Sequence, residues 1–373
     1  MAHAYTPGLK VTEQQLVEKR RILPLKGDVV VKVGDQVEPD DVVARTHLPG
    51  NVVPLNVANK LGVPPEDIEM MMLKKPGDPI KAGEKIALKK SFISFFNSSC
   101  EATIDGTIES VSKVTGQVLQ RGNPIPVEVK AYLKGEVTEV IPEEGVVVAC
   151  TGSFMQGIFG IGGETTGNLI VAVDSNATVL SDKLITPEMK DKVIIGGSLV
   201  TAAALKKAIE VGACGIVVGG FDDKDLRDFL GYDIGVAITG SEDKGITLVV
   251  TEGFGEIAMA QKTFDLLKRH EGQMACINGA TQIRAGVIRP EVVIPGKSKG
   301  TEDAEKGEIQ GLTIGSPIRV IRHPYFGKLG AVTELPSPLQ VLESESKARV
   351  LEVEFEDGHR AIIPRANVEM IES

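Results

Sequence analysis

At 373 residues, and with about 150 residues to a domain, the chain has the length of two or three domains and enough material for several buried cores. Lys and Arg number 41 against 51 Asp and Glu, a formal charge of −10, which argues against a protein whose main task is gripping nucleic acid, because counterion release needs a basic surface. A hydrophobic fraction of 42% beside 25% charged residues excludes wholesale disorder, and 41 glycines with 20 prolines imply many tight turns and hence much β structure.

The first 21 residues hold no apolar core of signal-peptide length, and no stretch approaches 18 uncharged apolar residues, so neither a leader nor a membrane span is expected. An internal repeat then appears. Residues 34–44 read GDQVEPDDVVA and residues 77–87 read GDPIKAGEKIA, each with a Gly-Asp turn, one apolar residue, a second turn and a β-type run ending in Ala. A second echo joins 106–111, GTIESV, to 135–140, GEVTEV, where alternation of apolar and polar residues predicts strands with one buried face. Short strands and Gly-containing turns from 22 to about 150 predict a compact β domain of sandwich or barrel type.

The stretch LPLKGDVVVKVGDQVEPDDVVA, with ATIDGTIESVSKVTGQV after it, resembles the barrel-sandwich hybrid fold of biotinyl and lipoyl carrier domains and of the N-terminal part of RnfC, a component of the Rnf complex. The resemblance implies the fold without the carrier role. Lys134 is the only lysine at a comparable turn, and its Tyr-Leu-Lys-Gly-Glu context does not match an attachment site. Cys100, Cys150, Cys214 and Cys276 show no C-x-x-C spacing, so the iron–sulfur motifs of RnfC are missing; each lies near an apolar run, where Cys behaves as a small core residue, and a cytoplasmic location is the natural expectation.

Between the halves of the first repeat, Asn56 to Leu61 predicts a short helix ended by Gly62, and Pro65-Glu66-Asp67 a second helix start. Met70, Met71 and Met72 read either as packing filler or as an adaptable contact surface. Residues 152–168, GSFMQGIFGIGGETTGN, are Gly-rich enough to cradle phosphate, but the G-K-[ST] ending of a P-loop is missing and a hairpin explains them equally.

From 190 to about 295 the period changes. KVIIGG, CGIVVGG, IGVAITG and GITLVVTEG read as strands. SLVTAAALKKAIEVG, with Ser198 as N-cap and Gly212 as terminator, FDDKDLRDFLG and GEIAMAQKTFDLLKRH read as helices, and GATQIRAGVIRPEVVIPG adds β structure cut off by Pro295. The alternation predicts an α/β domain with a mainly parallel sheet. Ligands of such sheets sit beyond the C-terminal strand ends, which here carry Gly196, Gly197, Ser198, Gly219, Gly220, Thr239, Gly240, Thr251, Glu252 and Gly253. These small and hydroxylic residues are the candidate site for a phosphate- or nucleotide-like ligand; turn chemistry alone also selects them.

Residues 296–311 read as a polar linker. Beyond it, GSPIRVIRHPYFGKLGAVTELP resembles the KOW motif of NusG/Spt5 transcription factors and certain ribosomal proteins, on Val320, Gly327, Gly330 and Val332; with ARVLEVEFEDGHRAIIPRANVEMI it implies a small SH3-like barrel that contacts RNA or a protein of a nucleic-acid machine. Arg319, Arg322, His323, Tyr325 and Lys328 are the candidate nucleic-acid strip, opposed by the acidity of the chain.

The five histidines share no metal-ligand spacing and no nucleophile–base set is readable, so the sequence nominates no catalytic residue, no metal and no cofactor. The expected organisation is multidomain β plus α/β: a barrel-sandwich-hybrid-like β domain over 1–150, the α/β domain with its Gly-rich entry loop over 151–295, the linker, and the KOW barrel over 312–373. The leading expectation is a non-catalytic cytoplasmic adaptor or assembly subunit that meets a protein partner or further copies of itself. A small-molecule-binding or enzymatic α/β domain and an RNA- or transcription-associated factor are the alternatives.

Overall fold

A computed structural model of the chain describes residues 9–89, 98–231, 240, 242, 244–282, 288–296, 312–320, 324–325, 328–336, 338–341, 347–355 and 357–370. Strand accounts for 48% of the fold and helix for 15%, so the protein is mostly β. Its largest unit is a mixed sheet of thirteen strands among the described residues. Along it lie, in spatial order, Phe159–Ile161, Thr247–Phe254, Gly215–Phe221, Lys192–Ile195, Glu164–Val171, Met274–Asn278, Glu291–Pro295, Gly145–Gln156, Gly135–Ile141 and Gln36–Val37.

Four neighbouring strands of this sheet, from Glu164–Val171 through Thr247–Phe254, run parallel. Gly215–Phe221 is buried at every position, as a strand covered on both faces must be. The flanking strands are antiparallel, so the mainly parallel sheet expected from the sequence is a mixed one with a parallel centre. Strand Gly145–Gln156 runs unbroken through position 150, and the long strand Val11–Ile22, β1, pairs with it over nearly its whole length.

Helix Ala202–Val211 ends at Gly212 with φ of 83°, as its sequence predicts, but its cap is Thr201, whose hydroxyl accepts from the Ala204 amide at 3.2 Å. Ser198 is not the cap, because Leu199–Val200 is drawn into the sheet beside Val179–Leu180 and the end of Gly215–Phe221. Asp223–Leu230 is capped by Asp222 and closed by Gly231, and Gln261–Arg269 forms the third long helix. The predicted strand over 234–240 lies, except for Gly240, outside the described residues, as does the linker apart from Gly296.

Both sequence echoes belong to one structural unit present twice. The Gly34 amide donates to Val137 O and the Gly77 amide to Ile108 O, both at 2.8 Å. The turn carboxylates match as well, Asp35 accepting from Lys32 N and Asp78 from Lys75 N. Gly135 pairs with Val37 as Gly106 pairs with Ile80. Val37, Val43, Ala44 and Val137 in one copy and Ile80, Ile86, Ala87 and Ile108 in the other are buried at corresponding positions. The copy built from 77–87 and 102–111 is nested between the two halves of the copy built from 34–44 and 131–141. Each has a core of its own, the inner one completed by Leu55, Val57, Leu61 and Ile68 from the connecting segment, where Val57–Leu61 is helical and ends at Gly62. The C-terminal unit is a five-stranded antiparallel sheet in the order Arg360–Pro364, Val350–Phe355, Leu329–Glu334, Pro317–Val320, Val368–Met370, closed over Ile318, Val332, Leu351 and Val353.

Candidate functional site

The strand ends nominated as a ligand crevice are filled by the chain itself. A Cβ on Gly197 would stand 2.3 Å from Thr178 O, on Gly219 2.2 Å from Ile257 O, and on Gly220 1.9 Å from Gly255 O. These glycines are therefore required by close backbone approach of segments 174–178 and 253–260. Ser198, 2% exposed, donates its hydroxyl to Ala177 O at 2.9 Å, and the Thr251 hydroxyl donates to Val218 O at 3.3 Å. Asn176 Nδ2 donates to Met259 O at 2.7 Å and locks the two covering segments together. Gly196 packs against Val218 and Leu180, and Gly253 pairs with Gly220. Gly240 lies apart, against Ala280, and Thr239 is outside the described residues.

Glu252 brings a charge to this edge. Its carboxylate accepts from the Ala260 amide at 2.9 Å and forms an ion pair with the Arg319 guanidinium, which also donates from Nη1 to Thr251 O at 3.2 Å. Both side chains are about 95% buried, with 5% and 6% exposure. Two residues that the sequence assigned to different sites, a ligand crevice and a nucleic-acid strip, are thus partners that fasten the C-terminal sheet to the end of strand Thr247–Phe254. The other described residues of the strip, Tyr325 and Lys328, are engaged within their own unit. Lys328 pairs with Asp357 at 3.0 Å and lies 5.2 Å over the Phe355 ring, and Tyr325 packs on the same ring at 5.1 Å. Arg322 and His323 lie outside the described residues.

Three further groupings join residues far apart along the chain; the first two had no signal in the sequence, and the third touches the Gly-rich stretch over 152–168. Ser153 and His270 stand 2.9 Å apart, Oγ to Nε2, with Gln273 3.1 Å from Nδ1. The pair has the residue types of a nucleophile and a base, but the Ser153 hydroxyl donates to Glu13 O at 2.7 Å, which engages its proton with a backbone carbonyl of β1. The grouping straps β1 to the end of helix Gln261–Arg269.

In the second grouping Tyr132, held at φ of 66° and buried, donates its phenol to Glu291 Oε1 at 3.1 Å, while Lys19 pairs with the other oxygen at 2.6 Å. Burial, with Glu291 adding to it, pushes the Tyr132 phenol well above its ordinary range, so it stays a donor. Burial also pushes Cys150 up to about 11 and Cys276 to about 12. Arg21 grips Glu164 through both guanidinium nitrogens at 2.6 and 2.7 Å and covers the Tyr132 ring at 5.5 Å.

The third is an open cavity of about 350 Å³ at the opposite ends of the parallel strands, where the Gly-rich stretch turns at Gly162-Gly163. Thr165, Cys214, Glu242 and Thr247 line it beside the last turn of helix Ala202–Val211. The carboxylate and the negative helix end give the cavity acidic character, opposite to what a phosphate requires. Among the described residues no three His, Cys, Asp or Glu side chains converge in a way that would hold a metal ion, and no helix is long and apolar enough to cross a membrane.

Compared with known proteins, the chain matches no protein-family model and no curated protein sequence.

Proposed function

We propose that this chain is a non-catalytic assembly subunit that works through protein–protein contacts, with the nested β units as its contact modules. The observation that carries the reading is a pair of apolar side chains turned outward at the same position of the two copies. Val30 and Leu73 each donate a backbone N–H to the matching strand, Val43 O at 3.0 Å and Ile86 O at 2.8 Å, yet their side chains are 45% and 54% exposed. Val33 and Val114 on neighbouring turns, with Val114 at 87% exposure, and Met70 on the short helix Ile68–Met71 extend this character, whereas Met71 and Met72 pack inward. Single exposed apolar residues are ordinary; repetition at matched positions of a duplicated unit is what favours a contact role.

The nested units support the barrel-sandwich hybrid reading through their paired turns and their sequence resemblance. The five-stranded C-terminal sheet likewise supports the SH3-like reading, and its buried attachment through Arg319 suits a structural or protein-facing module better than an RNA-binding strip. The nested β units, the large sheet they share through strand Gly145–Gln156 and the C-terminal sheet then act as one scaffold rather than as separately acting enzymes.

The test is the native mass of the full chain purified gently from its host, compared with that of a Val30→Glu/Leu73→Glu variant. A stoichiometric protein companion present with the parent and lost with the variant supports the reading. A companion of a different chain that the substitutions leave bound, or no companion of a different chain at physiological salt, overturns it.

A second reading rests on the cavity at Thr165, Cys214 and Glu242, which suits a small polar molecule presenting hydrogen-bond donors or a positive charge. Thermal stabilisation by amines that Glu242→Gln abolishes would support it.

A further inference from the structure

Strand β1 is bonded on one side only: among the described residues its sole strand partner is Gly145–Gln156, which leaves alternate backbone N–H and C=O groups along the other edge. An open edge templates pairing with another strand unless a bulge or unmatched charge blocks it; the register shift of β1 lies between Thr12 and Gln15, before the segment that follows, and its outward charges there are of opposite sign. The alternation of β1 fixes which side chains stand beside that edge. Val17 is buried, and Lys19 and Arg21 point inward to Glu291 and Glu164. Leu16, Glu18, Arg20 and Ile22 face outward together, with Leu16 at 46% and Ile22 at 39% exposure.

Along this face the order is apolar, acidic, basic, apolar. Such an order is its own complement under antiparallel pairing about Lys19: Leu16 falls opposite Ile22 of a second strand, and Glu18 opposite Arg20, each twice by symmetry. We propose that β1 is a self-pairing edge, and that a second copy of this chain docks there about a two-fold axis at Lys19, joining two mixed sheets into one. The proposal rests on the assembly reading above and names a partner for a surface distinct from Val30 and Leu73.

Cross-strand complementarity favours this pairing twice over. Opposite charges placed directly across an antiparallel pair stabilise and like charges destabilise, and an isologous interface uses every contact twice. The two Lys19 side chains meet near the axis on the inner face, but each is already paired with its own Glu291 at 2.6 Å, so the axis carries no unpaired charge of theirs. The turn at Leu23 and Pro24 ends the overlap at residue 22, giving a paired length of about 23 Å for seven residues at roughly 3.3 Å each. The main-chain bonds of that length supply affinity, and the Leu16, Glu18, Arg20, Ile22 order supplies register.

The experiment is sedimentation velocity on the full chain over a micromolar concentration series at moderate salt, with Glu18→Arg, with the swap Glu18→Arg/Arg20→Glu, and with Leu73→Glu. All substituted side chains are exposed, and circular dichroism checks that each variant is folded. The parent is expected to sediment as a dimer. Glu18→Arg, which sets two pairs of like charges face to face, is expected to weaken the dimer about tenfold or more. The swap restores the alternation of sign and is expected to recover it, and Leu73→Glu leaves the dimer intact. A parent that stays monomeric, a dimer indifferent to Glu18→Arg, or a swap that fails to recover it overturns the edge pairing. None of these outcomes bears on the companion protein sought through Val30 and Leu73, whose absence would overturn the assembly reading by itself.

Discussion

Replacing Arg319 by Met removes one partner of the buried pair and leaves the Glu252 carboxylate, at 6% exposure, with the Ala260 amide at 2.9 Å as its remaining donor; Thr251 O loses the Nη1 bond at 3.2 Å as well. Breaking a buried pair from one side costs about 3–5 kcal/mol, because the cost is that of an uncompensated charge rather than of a lost contact. Against a total stability of about 5–15 kcal/mol this is a large loss. The double variant Arg319→Met/Glu252→Gln removes both charges and should recover about half or more of it, since a neutral amide is far cheaper to bury than a carboxylate. Urea unfolding of the parent, both single variants and the double variant gives the coupling energy. Amide exchange locates the loss, which should fall on strands Pro317–Val320 and Val368–Met370 and on the end of Thr247–Phe254. A loss below about 1 kcal/mol for Arg319→Met, or a double variant as damaged as the two singles added together, would refute the claim that this pair fastens the C-terminal sheet.

The strand-end glycines give a second check: Gly220→Ala forces a Cβ to within 1.9 Å of Gly255 O and should cost about 1–3 kcal/mol through backbone displacement, with thermal unfolding as the readout. If Gly220→Ala melts like the parent, the crevice is open rather than filled. For the cysteines, a thiol reagent at pH 8 should label half-buried Cys214 first in the native protein and reach Cys150 and Cys276 only on unfolding, because burial holds those two thiols near 11 and 12; equal labelling by peptide mass would contradict it. For acid stability, hydrogen bonds from Arg269, Lys74, Arg121 and Lys26 hold Glu13, Glu84, Glu109 and Glu143 below the ordinary glutamate value of 4.5. Groups with lowered folded values contribute stability that is full above the unfolded value and lost as pH falls through the folded one, so unfolding midpoints should drop below pH 4.5, and less steeply in high salt because all four are solvent-exposed. A midpoint unchanged between pH 5 and 3 would count against these pairings.

Local chemistry carried a good part of this protein in its sequence alone. The Gly-Asp turns at 34 and 77, the alternation after Gly106 and Gly135, and the helix ends at Gly62, Gly212 and Gly231 are settled by neighbours a few residues away, through φ > 0 at glycine and a repeat of two in strands. For that reason the two sequence echoes and the abundance of β structure were legible from residue order, whereas the mainly parallel sheet expected over 151–295 is parallel only in four neighbouring strands of a larger mixed one. The nesting of one unit inside the other was latent in the spacing of the echoes, but which strand paired with which was not.

What only tertiary structure decided is how distant segments meet. The capping of helix Ala202–Val211 passed from Ser198 to Thr201 because Leu199–Val200 found strand partners outside its own neighbourhood. The crevice closed because Gly255 O and Thr178 O come within contact of glycines that sequence spacing leaves open. Arg319 and Glu252, 67 residues apart, became a single buried pair, and Ser153 and His270, 117 apart, became a strap that a carbonyl of β1 completes. Propensity and periodicity are nearest-neighbour properties, whereas burial, pairing and the filling of a crevice depend on contacts that exist only once the whole chain has folded.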